Sequence, residues 1–370
     1  MDTLPYELCI ALPGGQGYPA ILNCDEQTAL LALWSCNKTY QEKFFDSLVI
    51  KWEISTFDGP DGIQTRVEKS KLISKVDKVS LVQVQISEVP RIFDALGRLP
   101  SLESLSMKKQ DFMKVTSIPV GISALTRLKT LELNFNDLTS LPSGISTLTS
   151  LTSLDLSGNK LTSVPKCVLM LKGLENLVIG FNHLTCLPED ISTLTALKSL
   201  DATSNELKSL PYSIPGLTAL KRLKVGHNKI SVIPDSLTAM TGLETLYLNR
   251  NFLKASAFPN MRALSELKEL DISRNKLISV PDGILAMRGL IKLNAGWNRI
   301  EALPDDFLSW TGVGMLSLNH NRITIFPSGM ASMVSLKHLS VMHNGYVVCD
   351  DVLTLLEKRG VHVVRNGNRG

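Results

Sequence analysis

Leu128-Lys129-Thr130-Leu131-Glu132-Leu133-Asn134-Phe135-Asn136-Asp137-Leu138 is the stretch that decides the fold. Its pattern, L-x-x-L-x-L-x-x-N-x-L, continues through Leu141, Pro142, Ile145 and Leu148 and then starts again. The asparagine recurs at Asn136, Asn159, Asn182, Asn205, Asn228, Asn251, Asn275, Asn298, Asn321 and Asn344. Eight of the intervals are 23 residues and one is 24. A fixed period of that length marks a solenoid, in which each coil buries its apolar face only against its neighbours.

Within a coil, Leu131 and Leu133 alternate with Thr130 and Glu132, the period of two of a strand with one buried face. Stacked copies predict a parallel sheet, and the apolar positions Leu128, Leu131, Leu133, Leu138, Leu141, Ile145 and Leu148 predict the interior. The chain turns out of the sheet at the asparagine, where backbone groups lose their strand partners. An amide side chain supplies both donors and acceptors, so the ten asparagines read as structural. Pro142, Pro165, Pro188, Pro211, Pro234, Pro259, Pro281, Pro304 and Pro327 follow the turn and exclude a central strand there. The dozen residues left for the return path predict short 3-10 or extended segments.

Counting by the leucines gives twelve starts, at 79, 102, 128, 151, 174, 197, 220, 243, 267, 290, 313 and 336, the first two degenerate. Three extra residues fall in FMKVTSIP, and LKASAFP predicts a small bulge at one rim. The organisation expected is therefore a helical or mixed capping region over 1–78, a solenoid over 79–349, and a cap over 350–370. In that cap a helix near 351–359 stops at Gly360, and Val361 to Val364 adds a last strand. In the first region a short helix is expected from Leu4-Pro5-Tyr6-Glu7-Leu8, further helix over Asp25 to Phe45, and a strand around Val49, Trp52 and Ile54.

Composition narrows the function classes. The 370 residues carry a net charge of +4 without a dense basic block, so no nucleic-acid partner is expected. No apolar run approaches the length of a membrane span. The six cysteines (9, 24, 36, 167, 186 and 349) are scattered, and the N-terminus lacks the pattern of a secretion signal, so a reducing, cytoplasmic setting is expected. No nucleophile, phosphate-loop or metal-ligand spacing stands out; His343, Cys349 and Asp350 are close in sequence but match no catalytic arrangement. The chain is expected to be no enzyme and to need no cofactor or metal.

The informative positions are those the repeat does not dictate. The residue before each asparagine is expected to project from the concave sheet: Phe135, Gly158, Phe181, Ser204, His227, Arg250, Arg274, Trp297, His320 and His343. Tyr247 joins them from a neighbouring column that also holds Asp155, Asp201 and Asp271. Aromatic and Arg side chains dominate binding hot spots, so this face is the expected partner site. The competing reading is that large neighbours merely stack on one another to shield the sheet.

The quoted motif resembles the leucine-rich repeat superfamily, in its 23-residue intracellular class found in scaffolds associated with Ras-like GTPases. That resemblance, over about 79–346, implies an α/β solenoid of horseshoe form: a concave parallel β-sheet, short 3-10 or extended convex segments, and a small, mainly helical N-terminal region. It also implies a protein partner on the concave face, such as a Ras-pathway component. Leu4, Pro5, Glu7 and Leu8, with Leu30, Leu31, Leu33, Cys36, Asn37, Lys38, Tyr40 and Trp52, look like an F-box over residues 1–55. The PGGQGYP insertion departs from F-box spacing. An F-box would imply a Skp-type adaptor as partner and a substrate-receptor role in a cullin ubiquitin ligase. The expectation is thus a non-enzymatic interaction scaffold, with that receptor, or a structural subunit of a large cytoskeletal or organellar assembly, as alternatives.

Overall fold

The computed structural model describes residues 6–10, 20–24, 50–53, 78–82, 93, 96, 97, 99, 101–107, 114–304, 310–345 and 351–366. Two compact units are present: residues 1–160 with 165–174, and residues 161–164 with 175–370.

In the first unit, Tyr6–Ile10 (β1) and Ala20–Cys24 (β2) pair antiparallel, with Leu8 level with Leu22. This corrects the helix expected from residue 4 onward. Tyr6, Leu8 and Ile10 alternate with Glu7 and Cys9, a period of two, and the Pro- and Gly-rich residues between the strands suit a hairpin connection. Glu7 and Leu8 of the F-box-like motif therefore lie in a strand, where that helical motif needs a helix. Leu4, Pro5 and the helix expected over Asp25 to Phe45 lie outside the described residues.

A parallel ladder then runs through Ile50–Glu53 (β3), Lys78–Val82 (β4), Ser104–Ser106 (β5), Thr130–Glu132 (β6) and Ser153–Asp155 (β7). Its register corrects the first repeat. Val79 pairs with Leu105, the second leucine position, and not with the first. The start therefore moves from 79 to 76, and Val76, Val79 and Leu81 fill the leucine pattern. Starts at 76, 102 and 128 make the first two coils 26 residues each. Ile50 pairs with Val79, so β3 adds a coil that the repeat count missed.

The second unit continues the same plan. Its strands are Asn176–Val178 (β8), Ser199–Asp201 (β9), Arg222–Lys224 (β10), Thr245–Tyr247 (β11), Glu269–Asp271 (β12), Lys292–Asn294 (β13), Met315–Ser317 (β14), His338–Ser340 (β15) and His362–Val364 (β16). Each pairs in parallel with the next, Leu200, Leu223, Leu246, Leu270, Leu293, Leu316 and Leu339 standing level.

The interior is the leucine register. Leu128, Leu131, Leu133, Leu138, Ile145 and Leu148 are fully buried, and only Leu141 of the seven is half-buried. Burying each such side chain is favourable by roughly 1.5–3 kcal/mol, and stacking is what removes it from water. Trp310 takes the place that Leu148 holds in its own coil; it is buried, and its indole N–H donates to the Ile284 carbonyl at 3.2 Å.

The asparagines point inward, buried at every position except the last, where Asn344 is half-buried. Asn228 is representative. Its Oδ1 accepts from the Leu207 N–H at 3.0 Å, and its Nδ2 donates to the Ala202 and Val225 carbonyls at 3.0 Å each. One amide thus satisfies its own turn and the coil before it.

Pro142, Pro188, Pro234 and Pro327, with φ between −64° and −70°, each precede a 3-10 segment: Ser143–Thr147, Glu189–Thr193, Asp235–Ala239 and Ser328–Ser332. The proline carbonyl accepts the first bond of the turn, as from Ile145 at 3.1 Å. The lengthened coil holds 3-10 turns at Ala255–Ala257 and Met261–Ala263, and Asn260 caps the second through Arg262 N–H. The next coil returns through a short α-helix, Asp282–Leu285 (α1), whose Gly283 lies against the Pro259 carbonyl. At the C-terminal end, Asp351–Lys358 (α2) buries Leu353 and Leu356, Gly360 turns at φ +86°, and β16 pairs with β15.

Candidate functional site

The residues before the asparagines share a backbone geometry the sequence does not announce. Phe135, Phe181, Ser204, His227, Arg250, Arg274, Trp297, His320 and His343 all have φ between 52° and 58°, and Gly158 has 66°. This left-handed conformation costs most L-residues roughly 1–2 kcal/mol. It is held by the ladder: the His227 N–H donates to the Asn249 carbonyl at 2.7 Å, and the Trp297 N–H to the Asn319 carbonyl at 2.7 Å. The column therefore stands one step beyond the strand, on the bend leading to the asparagine, and not on the strand itself. The one signal in the sequence was Gly158, the residue type best suited to positive φ.

Most of these side chains are solvent-exposed. Phe135 and Trp297 are each 47% exposed and Phe181 is 60% exposed; His227, Arg250, Arg274 and His343 are exposed too, with Ser204, His320 and Gly158 intermediate. In the first unit the Phe135 ring lies over Gly158, so close that a Cβ there would come within 2.5 Å of it. In the second, Ser204 Oγ and His227 Nδ1 are hydrogen-bonded at 2.9 Å.

Further along, the side chains form a continuous stack. The Arg274 guanidinium lies 4.2 Å from the Trp297 ring centre. Trp297 and His320 stack at 3.6 Å and 17°, and His320 and His343 at 4.1 Å and 22°. The His343 N–H donates to Asn366 Oδ1 at 3.0 Å. Large neighbours do stack, and Arg274, Trp297 and His343 within the stack are exposed. Burial holds the His320 imidazole below its ordinary pKa, helped by the charges of His343 and Arg274.

Tyr247 lies in the strand column beside this row and belongs to a different network. Lys224 sits 5.6 Å from its ring centre. Burial, then a hydrogen bond to Glu269 and the charges of Glu269 and Asp271, push its hydroxyl up to about 12. Burial raises the Glu269 carboxyl, but hydrogen bonds from Lys292 (2.5 Å) and Tyr247 outweigh it and leave the group below its ordinary range. Asp155, Asp201 and Asp271 turn back on their own strands, accepting from the N–H of Ser157, Thr203 and Ser273 at 2.9–3.0 Å. These carboxylates are partly used by the scaffold. Sequence reasoning missed Met315, 45% exposed on the outer strand position, and the edge-on pair His338 and His362 at 5.6 Å.

Residues 180–279 match the family described as leucine-rich repeat region, and residues 126–184 and 149–207 match leucine rich repeat. No curated protein matches the chain. Among solved structures, the chain is similar to a leucine-rich repeat protein of Leptospira interrogans at 26% identity, over 78% of this chain and 90% of that one (TM-score 0.62). An internalin of Listeria monocytogenes is similar at 19% identity, over 84% and 95% (TM-score 0.62), a likeness of fold. The plant peptide hormone receptor RGFR1, solved in complex with RGF2, is similar at 26% identity over 72% of this chain and 49% of that one (TM-score 0.55).

Proposed function

We propose that this chain, a leucine-rich repeat solenoid, is a non-enzymatic scaffold that holds a protein partner on its sheet face. The observation that carries this reading is the row Arg274, Trp297, His320 and His343, ordered by mutual stacking, with Arg250 exposed in the coil before it. Side chains of these types lose little freedom on binding when already stacked, which lowers the cost of association. Phe181, exposed at the same repeat position of the second unit, extends the set of anchors. A structure similar to this chain, RGFR1, was solved with RGF2 bound, which supports a polypeptide as the class of ligand. In this reading the coils of the second unit are the binding body.

The 23-residue intracellular class makes a Ras-pathway component the first partner to test. A reducing, cytoplasmic setting is part of the proposal, supported by the free thiols of Cys167, buried, and Cys186, exposed. A second reading, a subunit of a larger assembly, draws on apolar residues exposed away from the sheet, such as Val120, Tyr212 and Val334 at 71–78%. Affinity capture with the full chain separates the two. Alanine at Arg250, Trp297 and His343 together is expected to remove a stoichiometric partner without lowering the thermal midpoint. An unchanged set of partners would overturn the sheet-face reading. Loss of partner on changing Tyr212 and Val334 would favour the assembly.

A further inference from the structure

The stacked row in the second unit has a chemical polarity of its own. Trp297 and His320 are stacked on both faces and leave only their edges free; the Arg274 guanidinium and the Trp297 indole N–H are donors, and a neutral imidazole edge carries one N–H donor and one acceptor. Among the described residues, neither Arg250 nor Arg274 forms an ion pair. At and just before the strands of the same unit, lysines meet carboxylates: Lys198 with Glu175 at 2.8 Å, Lys221 with Glu244 at 3.3 Å, Lys292 with Glu269 at 2.5 Å. These three lysines are paired within the chain, and the two arginines of the row are left open.

We propose that the row Arg250–Arg274–Trp297–His320–His343 is the docking site for an acidic peptide segment of the partner, held extended along the stacked coils. This rests on the reading that the sheet face binds a protein, and adds which part of the face does so and what it selects. Five coils about 4.8 Å apart span roughly 19 Å, the length of about six residues of extended chain. Carboxylates of such a segment accept bidentate bonds from the two arginines at one end and single bonds from the ring edges at the other. Nucleic acid shares the negative charge but fits less well. Glu269 and Asp271, in the coil of Arg274, border the row on its strand side and would repel an unbroken line of phosphates, whereas a peptide places its charges intermittently.

The test is selection of random 12-residue peptides on the full chain at physiological salt, followed by affinities of the synthesised winners. Enrichment of Asp and Glu is expected, with binding that weakens as salt rises. The paired change Arg250→Gln and Arg274→Gln, which keeps both stems, is expected to lower affinity at least about tenfold with the thermal midpoint unchanged. Lys224→Ala with Tyr247→Ala is the companion variant, on the adjoining column. Winners that are neutral or basic, or acidic winners lost only in the companion variant, would overturn the row as the site and leave the sheet-face reading standing. Winners indifferent to both variants, or no enrichment at all, would overturn both. A dT12 oligonucleotide that displaces the winners and binds more tightly than they do would overturn the peptide class.

Discussion

Asn228 accepts from the Leu207 N–H and donates to the Ala202, Val225 and Gly226 carbonyls, and the Ala202 and Val225 carbonyls also accept from Asn205 and Asn251. Alanine there leaves the buried Leu207 N–H unsatisfied and takes one donor from each carbonyl, and we expect a loss of about 1–3 kcal/mol in urea unfolding. The left-handed column makes the opposite demand at Gly158, where a side chain would be strained by φ +66° and would strike the Phe135 ring. Gly158→Ala is expected to cost about 1–2 kcal/mol, while Gly158→Ala in a Phe135→Ala background should recover the steric part only. His320 gives a pH dependence. Its folded pKa lies below the unfolded 6.5, so the unfolded chain binds the proton more readily, and stability declines as pH falls through about 6.5 toward the folded value. Thermal midpoints at pH 7.5 and 5.5 should differ less in His320→Gln than in the unchanged protein. The asparagines were legible because one residue type recurs at all ten turns, and the leucines because aliphatic residues recur at fixed spacing, with Ile179, Ala202 and Val225 standing where Leu133 does. The positive φ was not, because Phe, Arg, His and Trp are types that local preference places elsewhere, and the neighbouring coil overrides that preference.

At the scale of the element, the return paths show how little freedom each coil has. Gly283 in α1 has the Pro259 carbonyl oxygen 2.0 Å from where a Cβ would stand, a contact with backbone that cannot swing aside. Gly283→Ala is therefore expected to lower stability by about 1–3 kcal/mol, more than alanine at Gly242, whose nearest neighbour would be the mobile end of Lys221. The proline-led 3-10 turns were readable because the spacing leaves no room for a longer helix. The first repeat was misphased for a specific reason: Val76, Val79 and Val82 are three apart, so the leucine motif fits at two offsets, and only pairing with Leu105 chooses between them. The β1 stretch is short enough for either periodicity, and its partner strand decides.

For the whole molecule, repetition makes stability a matter of neighbours, so an exposed end coil is a hazard as well as a loss. The pairing of β15 with β16 and the packing of Leu353 and Leu356 cover that edge at the C-terminal end. Leu356→Asp should unseat α2 and produce concentration-dependent self-association in sedimentation velocity, whereas Leu355→Asp, at a 47% exposed position, should not. The binding face was legible in its residue types but not in its division. Only the fold separates the arginine-and-ring row from the Tyr247 and Glu269 network beside it, where Lys292 already meets a carboxylate. The left-handed bend has one more consequence. Glycine, serine, phenylalanine, histidine, arginine and tryptophan all occupy the same backbone shape there, imposed by the coil alongside. Such a site works like movable type: a letter can be exchanged in one line without resetting the page, so new recognition can arise, or be engineered, coil by coil.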